Sequence, residues 1–204
     1  MISIVDYGLG NLKAFANIYK RLNIDVDFVR TPEQLNSAKK IILPGVGAFD
    51  HAIKELNKSG MREKLDELVL IKKVPVIGIC VGMQMLGKRS DEGKLEGLGW
   101  IDADIVKFDV NLIKQKPQLP HMGWNDVHPI GNNPLFQELE TNSIFYFLHS
   151  YYFLCKNSQD VIAKSEYGLE FTCAVNHENI FGVQFHPEKS HKYGIRLLKN
   201  FANL

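Results

Sequence analysis

"PVIGICVGMQML", residues 75–86, brings a run of apolar residues to an end at a glycine-spaced turn, with one cysteine, Cys80, at the junction. A buried strand, a tight turn and a helix-forming stretch in that order make the layout of a nucleophile elbow. In such an elbow the turn thrusts a side chain out at the carboxyl end of the sheet, where open α/β sheets place their ligands. Free N–H groups at the start of the following helix would also favour a thiolate there. Free cysteine is itself among the most buried residue types, so this segment alone leaves packing and nucleophile both open.

The flanking sequence repeats the same alternation of short apolar runs with amphipathic stretches, which predicts βαβ units and a mixed, largely parallel sheet flanked by helices. "ISIVDYG" reads as a first strand, followed by a helix over about Asn11 to Leu22 with Leu12, Phe15, Ala16 and Tyr19 on one face. "DVDFVR" and "KKIILPG" follow as strands, the second a continuous apolar run of the kind that parallel sheets bury. Phe49, Ala52, Ile53 and Leu56 recur at helical spacing up to Gly60, and Met61, Leu65, Leu68 and Val69 predict a further helix leading into "VPVIGI". From about Trp100 to Leu154, "WIDADIVKF", "HMGWNDVH" and "SIFYFLHSYYFL" are rich in β-branched and aromatic residues and predict antiparallel or mixed strands. "FTCAVNHE" and "NIFGVQF" make a hairpin turning near Glu178–Asn179, and a helix over about Tyr193 to Phe201 closes the pattern.

The 204 residues suit a single domain, 1–204, without repeat, linker or low-complexity tract. Hydrophobic content of 45% and charged content of 23% are those of an ordinary globular chain, and a net charge of +1 supplies no basic field for nucleic acid. The longest apolar stretches fall short of the roughly 18 residues of a spanning helix, and "MISIVDYGLG" lacks the basic-then-apolar order of a secretory signal. No membrane association and a cytoplasmic location are therefore expected. Three cysteines (Cys80, Cys155, Cys173) and seven scattered histidines fit neither a disulfide framework nor a set of metal ligands, so no metal is expected.

"GVQFHPEKS", residues 182–190, adds His186 after another apolar strand, with Glu188 two residues on. In extended chain those side chains face one way, so the carboxylate can orient the imidazole while its other nitrogen addresses a thiol. Nucleophile, base and orienter are then all present. "ILPGVGAF", residues 42–49, ends a third strand in glycines that let backbone N–H groups approach a ligand, as an oxyanion hole requires. "DYGLGN" has Lys13 where the third glycine of a dinucleotide fingerprint belongs, so no nucleotide cofactor is expected.

Together "GICVGMQ", "PGVGAF" and "HPEKS" resemble class I glutamine amidotransferases, which have a flavodoxin-like fold with a cysteine elbow. "DYGLGN", "PHMGWN", "FYFLHSYYF" and "FGVQFHPEKS" look like the glutaminase subunits of imidazole glycerol phosphate synthase, over nearly the whole chain. The resemblance implies that Cys80 attacks the side-chain amide of L-glutamine, with His186 as base and then acid and Glu188 orienting it. It places the oxyanion at Val46, Gly47 and Val81, and the glutamine at Gln84, Glu92, Ser150 and Tyr151. It implies no cofactor. The implied partner is a (β/α)8-barrel cyclase that uses the ammonia to form imidazole glycerol phosphate and AICAR, with Asn11, Trp124, Tyr146 and Lys189 at or near the interface. Val81, where leucine is usual, and the segments "KRSDEGKLEGLGWIDADIVKF" and "EKSHKYGIRLLKNF" look more like a paralogous branch that supplies ammonia to a sugar amidotransferase. A cysteine peptidase of the same doubly wound type does not call for His-Pro-Glu after a late strand. A non-catalytic regulatory module of this fold would commonly have lost one of the three residues.

Overall fold

Apolar runs without polar alternation are stable as strands only where both faces are covered. The computed structural model, which describes residues 1–204, arranges them that way. The first half runs β1 (Ile2–Val5), α1 (Leu12–Arg21), β2 (Val26–Val29), β3 (Ile41–Gly45), α2 (Phe49–Lys58), α3 (Arg62–Asp66), β4 (Val76–Cys80) and the one-turn α4 (Val81–Gln84). The second half is β5 (Arg89–Ser90), β6 (Ala103–Lys107), β7 (His121–Pro129), β8 (Ser143–His149), β9 (Tyr151–Cys155), β10 (Val161–Tyr167), β11 (Leu169–His177), β12 (Ile180–Val183) and α5 (His191–Asn203).

One sheet runs in the order β2-β1-β3-β4-β12-β11-β10-β7-β8. Its first five strands are parallel and every residue of β1, β3, β4 and β12 is buried. From β12 to β8 the pairing is antiparallel; β9 and then β6 branch antiparallel from β11, and β5 pairs parallel with β6. The junction of β4 and β12 matters most, because Cys80 ends the first and the chain beyond the second carries His186. Helix α2 buries the four residues its spacing predicts, Phe49, Ala52, Ile53 and Leu56. Each of the three larger ones contributes about 1.5–3 kcal/mol relative to exposure.

Four local expectations change. The stretch through Met61, Leu65, Leu68 and Val69 is not one regular helix: α3 stops at Asp66 and a π turn over Glu67–Ile71 follows, with Leu68 and Val69 both buried. "MQML" does not prolong α4 beyond Gln84, because the backbone N–H groups of Leu98, Ile101 and Gly99 take the carbonyls of Met85, Leu86 and Gly87. "SIFYFLHSYYFL" is two strands broken at Ser150, and "VIAKSEY", in which no strand was expected, forms β10.

Candidate active site

Cys80 has φ 56° and ψ −115°, a backbone conformation that a side chain adopts only under constraint. It costs on the order of 1–3 kcal/mol, which the surrounding packing must offset. The constraint comes from three glycines. A Cβ on Gly82 would strike the Leu43 carbonyl, one on Gly45 would strike the Gly82 amide, and one on Gly78 would lie 2.6 Å from the Gly82 carbonyl oxygen. The turn after Cys80 is thus pressed onto β3 and β4, and the cysteine can only point up and out of the sheet.

It points into a cavity of about 300 Å³. Cys80 and His186 line it together with Val46, Gly47 and Val81, the expected oxyanion segments, and Gln84, Glu92, Ser150 and Tyr151, the expected glutamine contacts. Lys189, expected at the partner interface, also lines it, as do Pro120, Leu148 and His149, which the sequence did not single out. Glu188 stands behind His186. Asn11, Trp124 and Tyr146 are not among the lining residues; Asn11 is exposed at the start of α1, and Trp124 and Tyr146 face each other across β7 and β8.

His186 Nδ1 bonds Glu188 Oε1 at 2.8 Å, with side-chain exposures of only 5% and 3%. The pair forms differently from the extended-chain expectation: Pro187–Lys189 is a 3-10 turn that swings the carboxylate back under the ring. Ser190 Oγ fixes that turn by donating to the His186 carbonyl at 2.6 Å while accepting from the Tyr146 amide at 3.0 Å. Burial alone would lower the imidazole pKa, but hydrogen bonding and charge from Cys80 and Glu188 outweigh it and hold His186 up at about 10. One turn of α4 provides little of the helix field expected at the sulfur. The sulfur's other neighbours, the Leu148 carbonyl and Gln184 Nε2, both lie at 3.9 Å.

Three supporting groups escaped the sequence reading. Tyr7 donates to the Pro44 carbonyl at 2.6 Å, pinning the stem of the Val46–Gly47 loop; burial, aided by the charge of Cys80, raises its pKa so that it stays a phenol. Gln184, fully buried, joins Gln84 to the cysteine. His149 backs Ser150 and Tyr151. Gln184, set in an apolar run two residues before His186 in "VQFH", was the available signal, since a buried amide needs partners. Glu92, though exposed, is tied to the site: its Oε2 accepts from the Phe49 amide at 2.8 Å, closing the N-terminus of α2 beside the cavity. Among these residues no group of three or more His, Cys, Asp or Glu has the geometry to hold a metal ion.

Residues 3–203 match the family model for class-I glutamine amidotransferases. Full-length relatives include a protein from Bdellovibrio bacteriovorus, 58% identical over 204 residues, and one from Leptospira interrogans, 53% identical over 204 residues. Both are named imidazole glycerol phosphate synthase subunit HisH, and each alignment covers 100% of both chains. A solved glutamine amidotransferase structure superposes with a TM-score of 0.76 over 99% of this chain and 97% of its own, at 20% identity, a likeness that speaks to fold alone. With a family match over almost every residue, and relatives more than half identical from end to end, the chain belongs to the class-I glutamine amidotransferases.

Proposed function

We propose that this chain is the glutaminase subunit of an imidazole glycerol phosphate synthase, working in the cytoplasm as a single amidotransferase domain over residues 1–204. The observation that carries the reading is the convergence in one cavity of a strained cysteine, a histidine held by a buried carboxylate, and the Val46–Gly47 and Val81 segments beside them.

Cys80 Sγ attacks the side-chain carbonyl carbon of glutamine, and the oxygen's developing charge is met by backbone N–H groups at Val46–Gly47 and Val81. His186, oriented by Glu188, holds the thiol proton and gives it to the amide nitrogen as the C–N bond breaks, releasing ammonia and leaving a glutamyl thioester. His186 then takes a proton from water, which attacks the thioester; the C–S bond breaks, glutamate leaves and the thiol is restored. Gln84, Glu92, Ser150 and Tyr151 hold the amino-acid end of the substrate.

Ammonia freed into water near neutral pH is mostly protonated and no longer nucleophilic, so the acceptor must dock against the site. The β7–β8 ribbon suits a docked partner. Met122, Trp124, Ile144 and Leu148 are exposed on it, with Trp124 opposite Tyr146 and Met122 opposite Leu148. Lys189 Nζ lies 5.3 Å from the centre of the Tyr146 ring, and the Leu148 carbonyl touches the nucleophile. Contiguous exposed apolar surface of this kind marks interaction sites. The relatives' name and the resemblance support a (β/α)8-barrel cyclase there, with Asn11 at the edge of the contact. A glutamine analogue bearing an electrophilic ketone tests the chemistry. It should add once, on the tryptic peptide 74–88 that contains Cys80; labelling of Cys155 or Cys173 instead would refute the assignment.

A further inference from the structure

Two buried histidines, His121 on β7 and His149 at the end of β8, take no part in the chemistry above. Their proton positions are nevertheless dictated by their neighbours. Asn125 Nδ2 donates to the Glu166 carbonyl at 2.8 Å and Asn125 Oδ1 accepts from the Asp126 amide, so the amide's orientation is settled. Asn125 Nδ2 lies 3.2 Å from His121 Nε2, which must therefore be the acceptor. The proton of a neutral His121 is then on Nδ1, aimed at His149 Nε2 at 3.0 Å. His149 must carry its own on Nδ1, which donates to the Tyr151 carbonyl at 2.8 Å. The other end of the chain demands the same answer, since a carbonyl can only accept.

Aromatic rings enclose the pair, of which His149 alone reaches the cavity wall. His121 stacks on Tyr167 at 4.1 Å and on Phe147 at 4.8 Å, and His149 lies 5.3 Å from both Phe108 and Phe171. Burial holds the pKa values down, to about 4 for His121 and about 3 for His149, the latter also lowered by its histidine neighbour. The Tyr151 carbonyl is held from its other side by Gln84 Nε2 at 3.3 Å, which also bonds Gln184 Oε1 at 3.0 Å, and Gln184 Nε2 reaches Cys80.

We propose that His121 and His149 are positioning residues for the glutamine site. Their one-directional chain of hydrogen bonds fixes the Tyr151 carbonyl, and through it the Ser150–Tyr151 bend and Gln84, in the geometry that receives substrate. The proposal rests on the glutaminase reading. Because the chain starts at Asn125, beside Trp124, it also ties the exposed ribbon to the substrate wall.

Nitrogen-15 spectra of the full chain give the first test. Both histidines should show a protonated Nδ1 and an unprotonated Nε2 at pH 7; a protonated Nε2 on His149 overturns the proposal without any variant. Glutaminase kinetics give the second. His121→Phe keeps the stacking but removes the donor to His149, and should raise the KM for glutamine about tenfold while kcat moves less than about threefold. His121→Asn, which restores an N–H near the position of Nδ1, should recover most of that loss. An unchanged KM in His121→Phe, or equal KM values in the two variants, refutes the positioning role. A wild-type chain with no glutaminase activity even beside its partner would instead sink the functional reading, while the spectra would still decide the proton positions.

Discussion

Glu188→Gln removes a charge from the most enclosed pair in the site while changing almost nothing in shape. Glu188 Oε1 accepts from His186 Nδ1, and Oε2 is buried without any partner. An amide there has two placements, and both fail. With its oxygen toward His186 it buries an NH2 group that nothing accepts; with its NH2 toward His186 it forces the ring's proton onto the nitrogen that must face Cys80. Either arrangement costs on the order of 1–3 kcal/mol, and the loss of the negative charge removes part of what stabilises the imidazolium. Glutamate release, measured by a coupled dehydrogenase with the cyclase present, should fall about 10²- to 10⁴-fold in kcat. The KM should stay within about threefold, because Glu188 does not line the cavity. In the wild type the His186 pKa lies above its unfolded value, at about 10, so its stabilisation is complete below about 6.5 and lost as pH rises through about 10. The variant's stability deficit should accordingly be larger near pH 6 than near pH 10, and shrink as pH rises between them. A kcat within tenfold of wild type, or a loss carried wholly by KM, would refute the role given to Glu188.

Cys80→Ala should abolish glutamine hydrolysis yet bind the cyclase with unchanged affinity in a titration, since it deletes the sulfur and leaves the exposed ribbon intact. Gly82→Ala has no room beside the Leu43 carbonyl and should lower unfolding free energy by about 1–3 kcal/mol in urea denaturation, with activity lost more steeply than stability. Trp124→Ala, at a position 46% exposed, should weaken cyclase binding at least tenfold by calorimetry while leaving the melting temperature of the isolated chain within a few degrees. His121 and His149, with pKa values lowered to about 4 and 3 by burial, bind protons less readily folded than unfolded. Stability should therefore fall as pH drops from about 6.5 toward 4, and His121→Phe should flatten that slope in acid denaturation.

Much of the site could be read directly from the sequence because its chemistry is encoded in neighbouring residues. The elbow at Cys80, the His-Pro-Glu turn and the Gly-Val-Gly loop each end a strand, and parallel strands deliver their carboxyl ends to one edge. The buried faces of α2 and β3 were equally plain, because periodicity reports burial. The interior supports were hidden for the opposite reason. Tyr7 meets Pro44, Gln184 meets Gln84, and His121 meets His149 only after the sheet has formed, and nothing in the local pattern around a buried polar residue names its partner. The early end of α4 was hidden in the same way, since the backbone of residues 98–101, not any breaker in "MQML", takes its carbonyls. Glu92 shows the limit of reading charge by position: it is a surface charge in sequence and in space, yet its carboxylate closes a helix beside the cavity.

The most direct test of the account measures glutaminase turnover by the purified chain alone, with the barrel cyclase and its ribonucleotide ligand, and with a sugar amidotransferase from the same genome. Low turnover is expected of the chain alone, with the Val46–Gly47 peptide brought into its productive orientation only by the partner, and strong stimulation is expected from the cyclase. High turnover by the chain alone, or stimulation by the sugar enzyme and not the cyclase, would contradict it.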